Sequence, residues 1–233
     1  MKRSVSVALT AVLLFSFVPA GARTLAASEP SGWAVAEMNE ANVQGFLTPN
    51  AQKDFRRNLT RAEFCEIVVA LIERTLGREI PLPAANPFSD TSNIDVQKAS
   101  LYGNPNPVVN GVGGGLFAPD KNVSRQEIVA MVARAMSRLS SDTGRALLPT
   151  PSSAQLPFKD NANIADWAVD PLRSLYANGV VKGDNYGNFN PLDEIKSEEC
   201  VAVVLRANNA AQAVLNSGLS AEQLVDKAVG EMR

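Results

Sequence analysis

Thr60-Arg61-Ala62-Glu63-Phe64-Cys65-Glu66-Ile67-Val68-Val69-Ala70-Leu71 is the stretch that decides the fold. Its first four residues form a capping box: the hydroxyl accepts from the backbone N–H of the glutamate, and the glutamate reaches back to the first N–H. One, four, five and eight positions beyond Glu63 stand Phe64, Ile67, Val68 and Leu71, the spacing of a single apolar stripe on a helix. The same register recurs beyond Glu127, as Ile128, Met131, Val132 and Ala135, behind a second box, Ser124-Arg125-Gln126-Glu127. It recurs again beyond Glu199, as Cys200, Val203, Val204 and Ala207. There the tetrad is Lys196-Ser197-Glu198-Glu199, with serine in place of the arginine, and the box is expected to be lost.

Upstream of these helices the chain repeats itself too. The third copy runs from Leu156-Pro157-Phe158-Lys159-Asp160 through Asp166-Trp167-Ala168 and an apolar-periodic stretch to Asn178. It continues through Gly179-Val180-Val181-Lys182-Gly183 and Gly187-Asn188-Phe189-Asn190-Pro191. The second copy reads Pro87-Phe88-Ser89-Asp90, Val108-Val109-Asn110-Gly111 and Gly115-Leu116-Phe117-Ala118-Pro119, offset by about 70 residues. The first starts at Gly32-Trp33-Ala34, and Trp33 to Gly45 spans the same distance as Trp167 to Gly179. Pro119 and Pro191 keep the preceding loop extended. Gly111, Gly115, Gly183 and Gly187 are expected to be positive-φ turn positions. Three stripes in one register predict a mainly all-α protein of three helix-loop-helix repeats, at residues 31–80, 86–140 and 156–210, around a central three-helix bundle with a pseudo-threefold axis. A unit of this size cannot bury its stripe alone, so one shared core is expected. Residues 218–233 read as a short amphipathic helix, with Leu224, Val225 and Val229 on one side, packed on the body.

Lys2 and Arg3, the apolar stretch from Val5 to Val18, and Ala20-Gly21-Ala22 have the layout of a secretory signal peptide over residues 1–22. No later stretch approaches the roughly 20 apolar residues of a spanning helix. The expected product is therefore exported to the cell surface, wall or periplasm without a membrane span. The chain has a formal charge of -2, and nothing supplies the basic stripe of a nucleic-acid binder. It contains no histidine, which removes the commonest general base, the commonest metal ligand and every Ser-His or Cys-His pair. No enzyme, cofactor or metal is called for. Asp184-Asn185-Tyr186-Gly187-Asn188 fails the ligand pattern of a calcium loop. Asn58-Leu59-Thr60 and Asn122-Val123-Ser124 match a glycosylation sequon, but each hydroxyl is already assigned as a helix cap. Cys65 and Cys200 read as buried apolar side chains.

These residues resemble the S-layer homology family, whose repeats combine Phe-x-Asp, Trp-Ala, a glycine-bounded turn, Gly-x-Phe-x-Pro and Thr-Arg-Ala-Glu. The resemblance runs from about Ser31 to Asn209. It implies non-covalent binding to an acidic, pyruvylated secondary wall polysaccharide in grooves between repeats, with the signature arginine meeting the ligand carboxylate. Carried over, it nominates Arg61 and Arg125, with Asp90, Asp160, Trp33, Trp167, Gly111 and Gly183 around them. Physical reasoning points to the same arginines, since a cation in the first turn opposes the helix dipole unless an anion is near. Two competing readings stand beside this. Arg61 and Arg125 can pair with neighbouring acids on the surface, and Trp33 and Trp167 read first as core anchors. The alternative function is an envelope scaffold whose repeats dock other proteins, favoured by the altered third tetrad.

Overall fold

The computed structural model describes residues 28–149 and 155–218. Six α-helices follow one another: α1 (Val35–Val43), α2 (Arg61–Leu76), α3 (Ile94–Leu101), α4 (Arg125–Thr143), α5 (Asp166–Ala177) and α6 (Ser197–Asn216), with a 3-10 turn at Asn161–Asn163. Among the described residues there are isolated bridges but no β-strand, in keeping with the mainly all-α expectation. The expected leader and the expected tail helix lie outside the described residues. No described helix is long and apolar enough to cross a membrane.

The long helices start where their tetrads place them. Thr60 Oγ1 accepts from the Glu63 N–H at 3.3 Å, and the Thr60 N–H donates to the Glu63 carboxylate at 3.0 Å. Ser124 and Glu127 repeat the exchange at 3.4 and 2.8 Å. At α6 half the box survives, contrary to expectation: the Lys196 N–H donates to the Glu199 carboxylate at 3.0 Å. What is missing is the side-chain acceptor, because an ammonium group has no lone pair to offer. Left-handed Gly77 (φ 65°) and Gly144 (φ 66°) end α2 and α4.

Every stripe residue on the three long helices is at most 6% exposed. α2, α4 and α6 pack on one another, and one continuous buried cluster draws on residues from all six helices. Each shorter helix lies on a long one: α3 on α2, α5 on α4, and α1 on α6.

The starts of the long helices are joined by a closed circuit of backbone bonds. Leu59 N–H donates to Ile195 O at 2.9 Å, Ile195 N–H to Val123 O at 2.9 Å, and Val123 N–H to Leu59 O at 3.2 Å. The first N–H groups of a helix have no partner within it. Here loops distant in sequence supply them. Arg61 and Ala62 donate to Lys121 O and Pro119 O, Arg125 and Gln126 to Asp193 O and Pro191 O, and Ser197 and Glu198 to Arg57 O and Phe55 O. Pro119 and Pro191 thus present a carbonyl to a neighbouring helix besides shaping their own loop. Beside this circuit, the Asn58 and Asn122 amides both donate to Glu194, so the two sequon side chains are already engaged.

The glycine expectation holds at Gly115 (φ 74°) and Gly187 (φ 85°) and fails at Gly111 and Gly183, which do not have positive φ. Space is the reason those two are glycine. A Cβ on Gly111 would stand 2.6 Å from Leu116 O and 2.7 Å from the Phe88 ring; on Gly183 it would stand 2.8 Å from the Phe158 ring and 2.9 Å from Asn188 O. Cys65 and Cys200 are buried free thiols, as read from the sequence, and burial pushes both thiols up.

Candidate functional site

Where a long helix begins against a turn from elsewhere in the chain, several of the expected site residues meet. At the first junction, Arg61 leaves the start of α2 and reaches the turn around Asn110 and Phe117. Its Nε donates to Phe117 O at 3.0 Å and its Nη2 to Asn110 O at 2.7 Å, while the guanidinium lies 4.6 Å from the Phe117 ring centroid. The side chain is almost covered, the residue being 8% exposed. Asp90 accepts from the Phe117 and Ala118 N–H groups at 2.9 and 2.8 Å. These amides, Phe117 first, hold its carboxyl below the ordinary range. They also fix Ala118 at φ 58°, a conformation a side chain adopts only when its surroundings hold it. Gly111, next to Asn110, leaves room for Phe88.

The second junction has the same plan. Arg125 Nε donates to Phe189 O at 2.8 Å, and the guanidinium lies 5.4 Å from the Phe189 ring centroid. Its Nη1 stands 3.3 Å from Glu199. Asp160 accepts from the Phe189 and Asn190 N–H groups at 2.8 and 2.7 Å, and Asn190 also has φ 58°. Gly183 makes room for Phe158. One further residue completes the arrangement: Gln126 Oε1 accepts from Ala165 N–H at 3.0 Å. Ala165 is the N-cap of α5. That bond caps α5 from α4, next to Arg125, and Trp167 stands two residues beyond the capped position.

At the third junction the chemistry changes sign. Ser197, in the arginine position, is fully buried and donates to Ala51 O at 3.0 Å. Glu198, in the Gln126 position, is 2% exposed and accepts from Ser31 N–H and Oγ at 2.7 and 2.6 Å. Trp33 thus follows, two residues on, a serine held by a buried carboxylate, where the matching helix position carries Ser197 in place of an arginine. At the first junction Ala62 occupies the same helix position and cannot reach across. α3 compensates by capping itself through Asn93, whose side chain accepts from Asp95 and Val96 N–H at 2.8 and 3.1 Å.

The structure thus brings together Arg61, Asp90 and Gly111 at one junction, and Arg125, Asp160 and Gly183 at another. Trp167 follows the α5 cap that Gln126 holds, and Trp33 follows Ser31, which Glu198 holds. Two expectations need correction. Trp33 and Trp167 are not core anchors: each is 53% exposed. Nor do the arginines require an external anion to explain their place at a helix start: two carbonyls and the Phe117 face receive Arg61, and one carbonyl, the Phe189 face and Glu199 receive Arg125. Sequence reading missed Gln126 and Glu198. Their shared position, directly after the arginine or its replacement, was the signal available, but which element they cap is a tertiary fact.

Asp184 is a turn residue, as its failed calcium pattern implies. It accepts from Tyr186 N–H, Asn188 N–H and the Asn190 amide at 2.8, 2.8 and 2.9 Å, and these bonds, Asn188 first, hold its carboxyl at about 2. Among the described residues no group of three or more acidic or cysteine side chains is arranged to hold a metal.

Comparison with known proteins agrees with these junctions. The model of the S-layer homology domain matches residues 106–129 and 157–198. The chain is 26% identical over 177 residues to Cell surface glycoprotein 1 of Acetivibrio thermocellus, covering 75% of this chain and 7% of that protein. It is 26% identical over 220 residues to an endoglucanase of a Bacillus species, covering 88% of this chain and 22% of the enzyme. It is 25% identical over 139 residues to the S-layer protein of Bacillus licheniformis, covering 59% and 14%. The chain therefore corresponds to less than a quarter of the length of each of these relatives. An S-layer homology domain is found in this chain, and the proteins it is similar to include S-layer and cell-surface proteins.

Proposed function

We propose that the protein is an exported cell-envelope component that attaches non-covalently to an acidic, pyruvylated wall polysaccharide and performs no catalysis. The reading rests on one observation: at the Arg125 junction an arginine, a glycine-lined turn and its clamping aspartate meet, and the neighbouring Gln126 caps the helix whose first turn carries the half-exposed Trp167. Arg125 is less consumed than Arg61. It gives one bond to a backbone carbonyl and one long contact to Glu199, and a ligand carboxylate competes with the latter. The exposed Trp167 face offers a sugar ring an apolar platform with a polar edge. Asp160 and Gly183 keep the turn in shape and do not touch the ligand. Three repeats, at residues 31–80, 86–140 and 156–210, in a pseudo-threefold arrangement fit the closed circuit of backbone bonds and the packing of each short helix on a long one. Two relatives are named as enzymes, an endoglucanase and an amylopullulanase, and this chain corresponds to 22% and 5% of them.

The test is co-sedimentation with purified wall sacculi. Arg125→Ala or Trp167→Ala lowers the bound fraction about tenfold, a loss of roughly 1.4 kcal/mol, while the helical CD spectrum persists. Trp33→Ala leaves binding unchanged. Equal binding by all three variants overturns the assignment. A second reading, a protein-docking scaffold, draws support from the third junction, where Ser197 and buried Glu198 leave nothing to meet an anion. Capture of an envelope protein that added polysaccharide does not displace supports that alternative.

A further inference from the structure

Two Asn-Gly pairs stand in the sequence, Asn110-Gly111 and Asn178-Gly179. In such a pair the asparagine amide is open to attack by the next backbone nitrogen, because glycine puts no side chain in the way. Local structure decides which pair can react. At Asn178 both partners are engaged: the side-chain amide donates to Ser174 O at 2.8 Å, and the Gly179 N–H donates to Tyr176 O at 3.0 Å. At Asn110 neither is. Residues 110 and 111 are exposed, and among the described residues the Asn110 side-chain amide and the Gly111 N–H make no hydrogen bond. What is held is the Asn110 backbone carbonyl, which accepts from Arg61 Nη2 at 2.7 Å. The corresponding pair in the other turn is Lys182-Gly183, which has no side-chain amide to attack.

We propose that Asn110-Gly111 is a self-modification site whose main product is an isoaspartate with its carboxylate held by Arg61. The inference stands on the geometry of the turn and not on glycan binding. The Gly111 nitrogen loses its proton to solvent and bonds to the Asn110 side-chain carbonyl carbon. The side-chain nitrogen leaves as ammonia, and a cyclic succinimide remains. Water then opens the ring at one of its two carbonyls, breaking the carbon–nitrogen bond there and returning a proton to the nitrogen. Opening at the side-chain carbon gives aspartate, and opening at the former backbone carbonyl gives isoaspartate. Arg61 favours the second outcome, since its guanidinium donates to the backbone oxygen on which negative charge develops as water adds. In that product the oxygen that Arg61 holds belongs to a free carboxylate, so a bond to a neutral carbonyl becomes a charge-assisted pair. The Arg61 junction thereby acquires an anion of its own.

The test uses the purified full chain, incubated at pH 8 either folded or in urea, then digested in acid and read by mass spectrometry with fragmentation that separates isoaspartate from aspartate. In the folded chain Asn110 converts at least tenfold faster than Asn178. In urea, where both pairs are released from their surroundings, the two rates agree within about twofold. The ratio of isoaspartate to aspartate at residue 110 is at least twice as high in the folded chain as in urea. Equal rates at Asn110 and Asn178 in the folded chain overturn the proposal, and so does a product ratio that unfolding leaves unchanged.

Discussion

Replacing Arg61 by alanine separates a structural role from a binding role at the signature position. In the folded chain its guanidinium gives two bonds to backbone carbonyls, at 3.0 and 2.7 Å, and covers the Phe117 ring at 4.6 Å. A hydrogen bond to a charged group is worth about 1.5 to 3 kcal/mol, and a cation over a ring about 0.5 to 2 kcal/mol. The truncated side chain also leaves the carbonyl of buried Phe117 without that donor. These contributions overlap, so a loss of about 4 kcal/mol is expected. For Arg125→Ala the sum is smaller: one such bond, a ring contact at 5.4 Å, and a partly exposed pair with Glu199 that counts for under about 1 kcal/mol. About 2 kcal/mol is expected there. Urea unfolding followed by CD measures both, with the slope m unchanged if the folded ensembles match. At about 2 to 4 °C per kcal/mol, Arg61→Ala lowers Tm by about 12 °C and Arg125→Ala by about 6 °C. Equal losses, or an Arg61→Ala protein as stable as the parent, would refute the claim that Arg61 holds the second repeat's turn in place.

Gly183→Ala forces a methyl to within 2.8 Å of the Phe158 ring and 2.9 Å of Asn188 O, and is expected to cost about 1 to 3 kcal/mol in the same melt. Asp90 has a carboxyl held below its unfolded value by the Phe117 and Ala118 amides. Its contribution is present above the unfolded pKa of about 3.9 and lost as pH falls through the folded value. Asp90→Asn should therefore flatten the acid side of the stability profile below about pH 4 while lowering stability at neutral pH; an unchanged acid limb counts against the clamp. Cys65 and Cys200, fully buried with thiols pushed up by burial, should not react with a thiol reagent at pH 8 until urea unfolds the chain, and should then react together.

Much of the architecture can be read along one strand of sequence because it depends on local rules. Thr60 and Ser124 announce their helices by hydrogen bonds that close within three residues, and the stripe from Phe64 to Leu71 is buried because helical spacing alone puts it on one face. The junctions are another matter. Phe117 O and Asn110 O are carbonyls, and every residue has one, so nothing at those positions advertises that Arg61 will use them. The same limit explains the glycines. Gly115 and Gly187 follow from turn geometry, whereas Gly111 and Gly183 answer to the rings of Phe88 and Phe158, more than 20 residues away in sequence. The tryptophans were misread because a bulky aromatic at a helix start has two physical uses, and only the packing of α5 on α4 and of α1 on α6 decides between them.

The hand-over of helix starts to a neighbour's carbonyls has an evolutionary corollary. On the proposed three-repeat reading, no repeat owns the turn it encodes, for the arginine or serine that reads that turn belongs to the preceding copy, or for the first turn to the last. A swap of one copy then breaks two pairings at once. What has to be inherited intact is a matched interface, from the start of one long helix to the turn of the next copy, and recombination preserves it when the cut falls inside a copy, between its turn and the start of its own long helix. Ser197 with Ala51 is such a pair after divergence: a short hydroxyl with its own carbonyl, no longer interchangeable with either arginine.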